Sequence, residues 1–159
     1  MPTATPEAAF PNNYEALLIS YAHPDYQDSC VRYSPTYPTE LASIACGLED
    51  LPVYYTLFAT LSDMAAGYNG DLDLGDFPPQ QDGTCAEANY EAAYTIDDEE
   101  AGRVSCRQHT SSRTGVLYHD IEWTHDELLV LGYISNRADL RTWDELIDFW
   151  IEKSGPFTP

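Results

Sequence analysis

The sequence predicts an α+β domain in which a largely antiparallel sheet of about five to six strands carries three helices. Two observations support this prediction. Strand-sized apolar runs outnumber helical patterns, and most of these runs are joined by short polar turns. The chain has 159 residues, which is enough to bury one hydrophobic core.

The strand-like segments form two groups. In the first half, 41–48 and 53–58 flank the polar stretch EDLP and predict a hairpin. A long acidic loop over 69–84 then separates this hairpin from the second group. That group contains four candidate strands, at 90–96, 103–108, 116–123 and 128–134.

Three helices are predicted from capping residues and apolar spacing. Asn13 can cap a helix that ends before His23-Pro24, because the residue preceding a proline avoids the helical region. A second helix starts at Thr60 and is expected to stop at Asn69-Gly70. The third begins with a capping box over 142–145 and carries an apolar stripe at helical spacing.

The organisation along the chain suggests one domain. Residues 1–12 are rich in Pro, Thr and Ala and predict a linker, which leaves 13–157 as a single domain. Each half has a Cys in a loop, a Cys late in a strand, a Tyr-bearing strand and then a helix. Internal duplication and chance are the two explanations of this similarity.

The chain has four cysteines, and none of them has the CxxC spacing of a zinc site. An even set predicts two disulfides and therefore an oxidising compartment, although free thiols in a cytosolic protein are the alternative. The comparable separations within each half favour the pairs Cys30–Cys46 and Cys85–Cys106.

Charge restricts the partners. Seven Lys and Arg against 27 Asp and Glu give a net charge of −20 and a pI near 4.1. Such a polyanion repels nucleic acid and anionic lipid. The remaining explanations are solubility or adaptation to a salty or acidic medium, binding of a cation or a basic partner, and mimicry of DNA. No apolar run is long enough to insert in a membrane, and export would depend on sequence upstream.

The acidic loop is a candidate calcium site. Asp71, Asp73 and Asp76 offer three hard oxygen donors, with Asp82 close behind. Gly75 is one place early for an EF-hand loop and no glutamate stands at the twelfth position, so a solvated loop is the alternative. No other cofactor is expected. A transition-metal site would instead need His119, His125 and a carboxylate.

Catalytic motifs are missing from the sequence. No serine lies in a GxSxG context, and all four cysteines have a plausible structural partner. On the strand over 116–123, His119, Ile121 and Trp123 share one face while Asp120 and Glu122 share the other.

Six aromatic residues predict either core packing or a cleft for carbohydrate. On their strand, adjacent Tyr54 and Tyr55 point to opposite faces, so at least one is exposed, covered by a helix or available to a ligand. The six residues are Tyr54, Tyr55, Tyr118, Trp123, Trp143 and Trp150.

Four segments, taken in order, carry a resemblance to a known family. They are IACGLEDLPVYYTLFATLSDMAAGY at 44–68, AGRVSCRQ at 101–108, HDIEWTHDELLVLGYISN at 119–136 and TWDELIDFWIEKSGP at 142–156. Together they resemble a poorly characterised extracellular domain at the C-terminus of membrane-anchored serine/threonine protein kinases of actinobacterial and Chloroflexi type, and of related secreted proteins. The resemblance implies an extracytoplasmic location and no particular activity or ligand.

The leading hypothesis is therefore an extracytoplasmic sensor, or a domain that binds a ligand or partner protein, tethered to a signalling protein and not an enzyme. Two alternatives stay open. A secreted hydrolase would need a pocket with paired carboxylates whose pKa values are shifted. An acidic protein that mimics DNA would need free cysteines.

Overall fold

The protein is described by a computed structural model over residues 9–74, Cys85 and residues 89–154. Its strands are β1 (Val31–Arg32), β2 (Glu40–Cys46), β3 (Val53–Phe58), β4 (Tyr90–Ile96), β5 (Glu99–Thr110), β6 (Leu117–His125) and β7 (Val130–Arg137). Its helices are α1 (Asn13–Tyr21), α2 (Leu61–Leu74) and α3 (Trp143–Phe149), with a 3-10 turn at Pro24–Ser29 and a π turn at Trp150–Ser154.

The seven strands form one sheet in the order β1-β2-β3-β7-β6-β5-β4, and every neighbouring pair is antiparallel. Two meanders, β1–β3 and β4–β7, are joined where β3 pairs with β7. This topology confirms the α+β class. The meanders contain three and four strands, and nothing in this arrangement demonstrates an internal duplication.

The predicted strand number was too low, since the sheet has seven strands rather than five or six. The strand that the sequence missed is β1, whose two residues pair with Ile44 and Ala45. Two residues are too few to produce a detectable alternation of apolar and polar side chains. Pairing with a neighbouring strand creates β1, and its own sequence does not indicate it.

The second helix is longer than predicted, because α2 continues through Asn69 and Gly70 to Leu74. A glycine inside a helix costs about 1 kcal/mol, but packing outweighs that cost. Met64 and Tyr68 are each 1% exposed and pack with Phe58 and Leu131, and Leu72 joins them on the same helical face. The predicted acidic loop over 69–84 was therefore wrong for its first six residues.

The main core lies on the sheet face that α1 and α3 cover. Asn12 rather than Asn13 caps α1, in a capping box with Glu15, and Thr142 forms the predicted capping box with Glu145 at the start of α3. Leu18 and Leu146 from these helices are fully buried. Both belong to the same cluster as the β-strand core side chains.

Two disulfides belong to this core. Cys30 is bonded to Cys46, and Cys85 is bonded to Cys106. These are the pairs that the sequence favours, and two disulfides fit an extracytoplasmic domain. Within the described ranges, no helix is long and apolar enough to cross a membrane.

Candidate functional site

The opposite face of the sheet carries polar side chains, because side chains alternate along each strand. Strand register places them in two rows across the sheet. One row contains Tyr54, Tyr133, Glu122 and Ser105, which are successive cross-strand partners. The next row contains Ser135, Asp120 and Arg107. Four strands thus bring acids, a base and tyrosines to one patch.

This patch is the floor of a cavity of about 590 Å³. Asp71 and Leu72 of α2 form one wall, and Tyr33, Thr36 and Tyr37, between β1 and β2, form another. Five tyrosine side chains on this face line the cavity, which we call the tyrosine cleft. They are Tyr33, Tyr37, Tyr54, Tyr118 and Tyr133.

The tyrosines are held by contacts between their rings. The Tyr54 ring lies 4.9 Å from that of Tyr33 in an edge arrangement and 6.0 Å from that of Tyr133. Tyr118 stacks on His109, with ring centroids 5.5 Å apart. Tyr33 is 43% exposed, whereas Tyr54 and Tyr133 are half-buried. The cleft therefore presents ordered aromatic surface to solvent.

Asp120 is the best satisfied acid of the cleft. Its Oδ2 atom accepts hydrogen bonds from Arg107 Nη2 at 2.9 Å and Nε at 3.2 Å, and its Oδ1 atom accepts one from Ser135 Oγ at 2.5 Å. The Nδ1 atom of His109 lies 2.8 Å from the same Oδ2. The charge of Asp120 is thus neutralised by Arg107.

Asp71 and Glu122 form a second, different acidic group. The Asp71 carboxylate accepts a hydrogen bond from the Tyr37 hydroxyl, and Asp71 and Glu122 line the same cavity. Two neighbouring carboxylates repel each other, which favours the protonated form of one of them. Burial, followed by the charge of Asp71, raises the pKa of Glu122 well above its usual range. Glu122 therefore carries the proton.

The buried oxygen of Glu122 has no strong donor nearby. Its Oε1 atom is inaccessible to solvent and receives no hydrogen bond from an N–H group or hydroxyl of the described residues. Within the same ranges, no lysine or arginine forms an ion pair with Asp71 or Glu122. Among the described residues no ion pair offsets the burial and the Asp71 charge that raise the pKa of Glu122.

Replacing Glu122 by glutamine should increase stability at neutral pH. Below the ordinary pKa of 4.5, Glu122 is protonated in both the folded and the unfolded protein. Above it, the unfolded chain releases the proton first, so stability falls as the pH rises through the folded-state pKa. The loss is about 1.4 kcal/mol for every pH unit between the two pKa values. Urea unfolding from pH 4 to pH 8 measures it.

In Glu122→Gln this decline should disappear, while stability at pH 4 stays close to that of the wild type. Asp73→Asn is the matched control, because Asp73 is exposed on the same helix as Asp71 and its substitution removes a carboxylate outside the cleft. Parallel pH profiles in Glu122→Gln and the wild type would contradict the protonated state of Glu122.

Two of the four predicted calcium ligands lie on a helix and not in a loop. Asp71 and Asp73 lie on α2, where Asp71 faces the cleft and Asp73 faces solvent. Asp76 and Asp82 fall outside the described residues. Within the described ranges, no group of three or more His, Cys, Asp and Glu side chains could hold a metal ion. Calcium binding at this set stays a prediction from the sequence.

The two histidines proposed for a transition metal are far apart. His119 and His125 lie six residues apart on β6, which corresponds to about 20 Å along a strand, so they cannot share an ion. His119 instead stacks on Trp143, with ring centroids 4.1 Å apart. Burial lowers the pKa of both His119 and His125, which keeps both rings neutral.

The six aromatic residues singled out from the sequence divide between the two sheet faces. The rings of Tyr54 and Tyr118 line the tyrosine cleft. Trp123 is 1% exposed in the core, where Tyr55 and Trp150 contact it edge-on. The sequence did not identify Tyr33, Tyr37 and Tyr133 as site residues. It did place Asp120 and Glu122 on one strand face, which was the available signal.

Comparison of the chain with protein-family models, with curated proteins and with solved structures yields no match. The resemblance to the kinase-associated extracellular domain therefore stays a prediction from the sequence. The class of the site is defined by its geometry alone, as an aromatic cleft that contains the carboxyl groups of Asp71, Asp120 and Glu122.

Proposed function

We propose that this protein is an extracytoplasmic ligand-binding or sensor domain whose ligand occupies the tyrosine cleft. The observation that carries the proposal is the Asp71–Glu122 pair inside an aromatic cavity. Burying ionisable groups without a counter-ion costs stability. Groups with strongly perturbed pKa values in a cleft are therefore candidates for function.

The size of the cleft supports a small ligand. Its volume of about 590 Å³ lies within the range of small-molecule sites, about 300 to 1,000 Å³. The two disulfides support an oxidising compartment. Attachment to a membrane-anchored signalling protein, such as a serine/threonine kinase, follows from the resemblance in the sequence.

Removing a cleft tyrosine should weaken ligand binding. A thermal-shift panel of neutral saccharides, amino acids and organic amines identifies ligands, and calorimetric titration gives Kd. We expect Tyr54→Ala to raise the Kd of a cleft ligand about tenfold, because it removes one aromatic wall worth about 1 kcal/mol or more. Tyr14→Ala is the matched control, since Tyr14 is 49% exposed on α1 and does not line the cleft.

Two results would overturn the proposal. One is a panel in which no compound binds the wild-type protein. The other is binding that Tyr54→Ala and Tyr14→Ala change equally. Circular dichroism of both variants separates loss of the site from loss of the fold.

A second candidate, a hydrolase, is favoured by the same carboxyl pair. General acid–base catalysis uses one protonated and one ionised carboxyl group. The Oε1 atom of Glu122 is buried and does not contact the water that hydrolysis needs. A carboxylate that only balances the charge of a ligand needs no such contact, because electrostatic attraction acts over a distance. Binding is therefore the preferred proposal, and hydrolysis of ester or peptide substrates that Glu122→Gln abolishes would favour the alternative.

The DNA-mimic hypothesis has less support. It required free cysteines, whereas all four cysteines of the chain are in disulfides. Asp71, Asp120 and Glu122 also line a cleft, whereas a DNA mimic presents its carboxylates on an exposed surface.

A further inference from the structure

Among the described residues that line the tyrosine cleft, no lysine or arginine forms an ion pair with Asp71 or Glu122. The charged side chains of the cleft are three acids and a single arginine, Arg107. Arg107 forms two hydrogen bonds with Asp120, at 2.9 Å and 3.2 Å. Arg107 is therefore paired with Asp120, and the buried Oε1 atom of Glu122 receives no hydrogen bond from the described residues.

The remaining lining complements a cation as well. Tyrosine rings attract cations to their faces through the negative π-electron density there, most strongly where water is excluded. Five tyrosine rings border the cavity, and Tyr33, Tyr54 and Tyr133 form a continuous row through their ring contacts. The chain charge of −20 additionally concentrates cations and repels anions near the entrance.

We propose that the tyrosine cleft binds a small organic cation, with the Asp71–Glu122 pair as its counter-charge and the tyrosine rings as its cage. This inference rests on the proposed ligand-binding function and specifies its ligand class. Binding would replace the proton on Glu122, which passes to solvent, so one proton leaves for each cation that enters. The occupied site then holds two carboxylates and one monovalent cation, so the net charge of the site is the same before and after binding.

The groups that face the pair determine its titration. Asp71 and Tyr68 belong to α2, Tyr37 precedes β2, Arg107 belongs to β5, Asp120 to β6 and Tyr133 to β7. Burial and nearby carboxylates raise the pKa values of the three tyrosines, so these hydroxyls stay protonated near neutral pH. Arg107 and Asp120 form an ion pair with each other. Glu122 is then the group that exchanges a proton when the cation enters.

Calorimetric titration with choline tests this inference, because choline is a permanent cation and does not titrate. Its neutral isostere 3,3-dimethyl-1-butanol has the same shape without the charge. We expect choline to bind at least tenfold more tightly than the isostere. Its Kd should fall about tenfold for each pH unit between the pKa of Glu122 in the complex and its higher pKa in the free protein, since one proton is released.

Substitutions distinguish the effect of the Asp71–Glu122 pair on choline binding from the effect of the overall negative charge of the protein. Glu122→Gln and Asp71→Asn should each raise the Kd for choline at least tenfold, and Glu122→Gln should remove the pH dependence. Asp73→Asn deletes the same charge outside the cleft and should leave Kd within a factor of two. Equal effects of all three variants would overturn the assignment of the pair.

The two proposals fail in different ways. If 3,3-dimethyl-1-butanol or a neutral saccharide binds in a manner that depends on Tyr54 while choline does not, the organic-cation inference is wrong and the ligand-binding function stands. If calcium chloride alone displaces the proton and choline does not, the site is a metal site and the inference is again wrong. If no probe binds at all, both proposals fail.

Discussion

Gly132→Ala should destabilise the protein by about 3 kcal/mol, which lowers Tm by about 10 °C for a chain of this size. Gly132 lies on β7 in the centre of the sheet, and its cross-strand partner is Trp123 on β6. A Cβ atom there would stand 2.2 Å from both Cε2 and Cζ2 of the indole ring. Trp123 is 1% exposed, so its ring cannot move away without displacing the core.

A second substitution, at Trp123, tests whether the clash with the indole ring causes the loss of stability. Trp123→Leu removes the indole atoms that the new methyl group meets, so Gly132→Ala should cost less in the Trp123→Leu background than in the wild type. Gly70→Ala is the control, because nothing lies within 4 Å of its added Cβ and alanine favours the helix by about 1 kcal/mol. Thermal unfolding of the four variants measures these differences. A wild-type Tm for Gly132→Ala would contradict the packing of Trp123.

Removing the Cys30–Cys46 disulfide should cost about 3 kcal/mol, because it closes a chain segment with a sequence separation of 16. Cys46 is fully buried at the end of β2, and Cys30 is 7% exposed. The paired substitution Cys30→Ala with Cys46→Ala keeps both positions apolar. Urea unfolding of this variant against the wild type gives the difference.

Reduction of both disulfides has a larger effect. The second bond, Cys85–Cys106, spans 21 residues and contributes about 3 kcal/mol more by the same mechanism. The sum approaches the whole stability of a small domain, about 5 to 15 kcal/mol, so thiol reductant should unfold the protein or bring it close to unfolding. Non-reducing peptide mapping identifies the pairs. Native cysteines that react with a thiol reagent, or a Tm that reductant leaves unchanged, would contradict this structure.

Most regular elements could be predicted from local patterns. The strands β4, β6 and β7 and the helix α3 lie within a few residues of their predicted positions, because each has its own apolar periodicity or capping box. β1 and the end of α2 could not be predicted in this way. β1 depends on pairing with β2, and the last turn of α2 depends on packing of Tyr68 and Leu72.

The candidate site was predictable only in part. Alternation along β6 puts Asp120 and Glu122 on one face, and adjacent Tyr54 and Tyr55 must face opposite ways. The sequence provides no means of pairing Glu122 with Asp71, which is 51 positions away in a segment predicted as a loop. The Asp71–Glu122 contact exists because α2 continues past Gly70 and packs over the polar face of the sheet.

The sequence by itself determined the α+β class, the favoured cysteine pairs and the acidic surface, because these follow from composition, spacing and side-chain alternation. The tertiary structure alone decided which acids are buried together and that no ion pair among the described residues offsets the charge of Asp71. The physical reason is that a pKa depends on burial and on neighbouring charges, and strand register and helix packing set both. The tyrosine cleft and its proposed cationic ligand therefore follow from the assembled sheet.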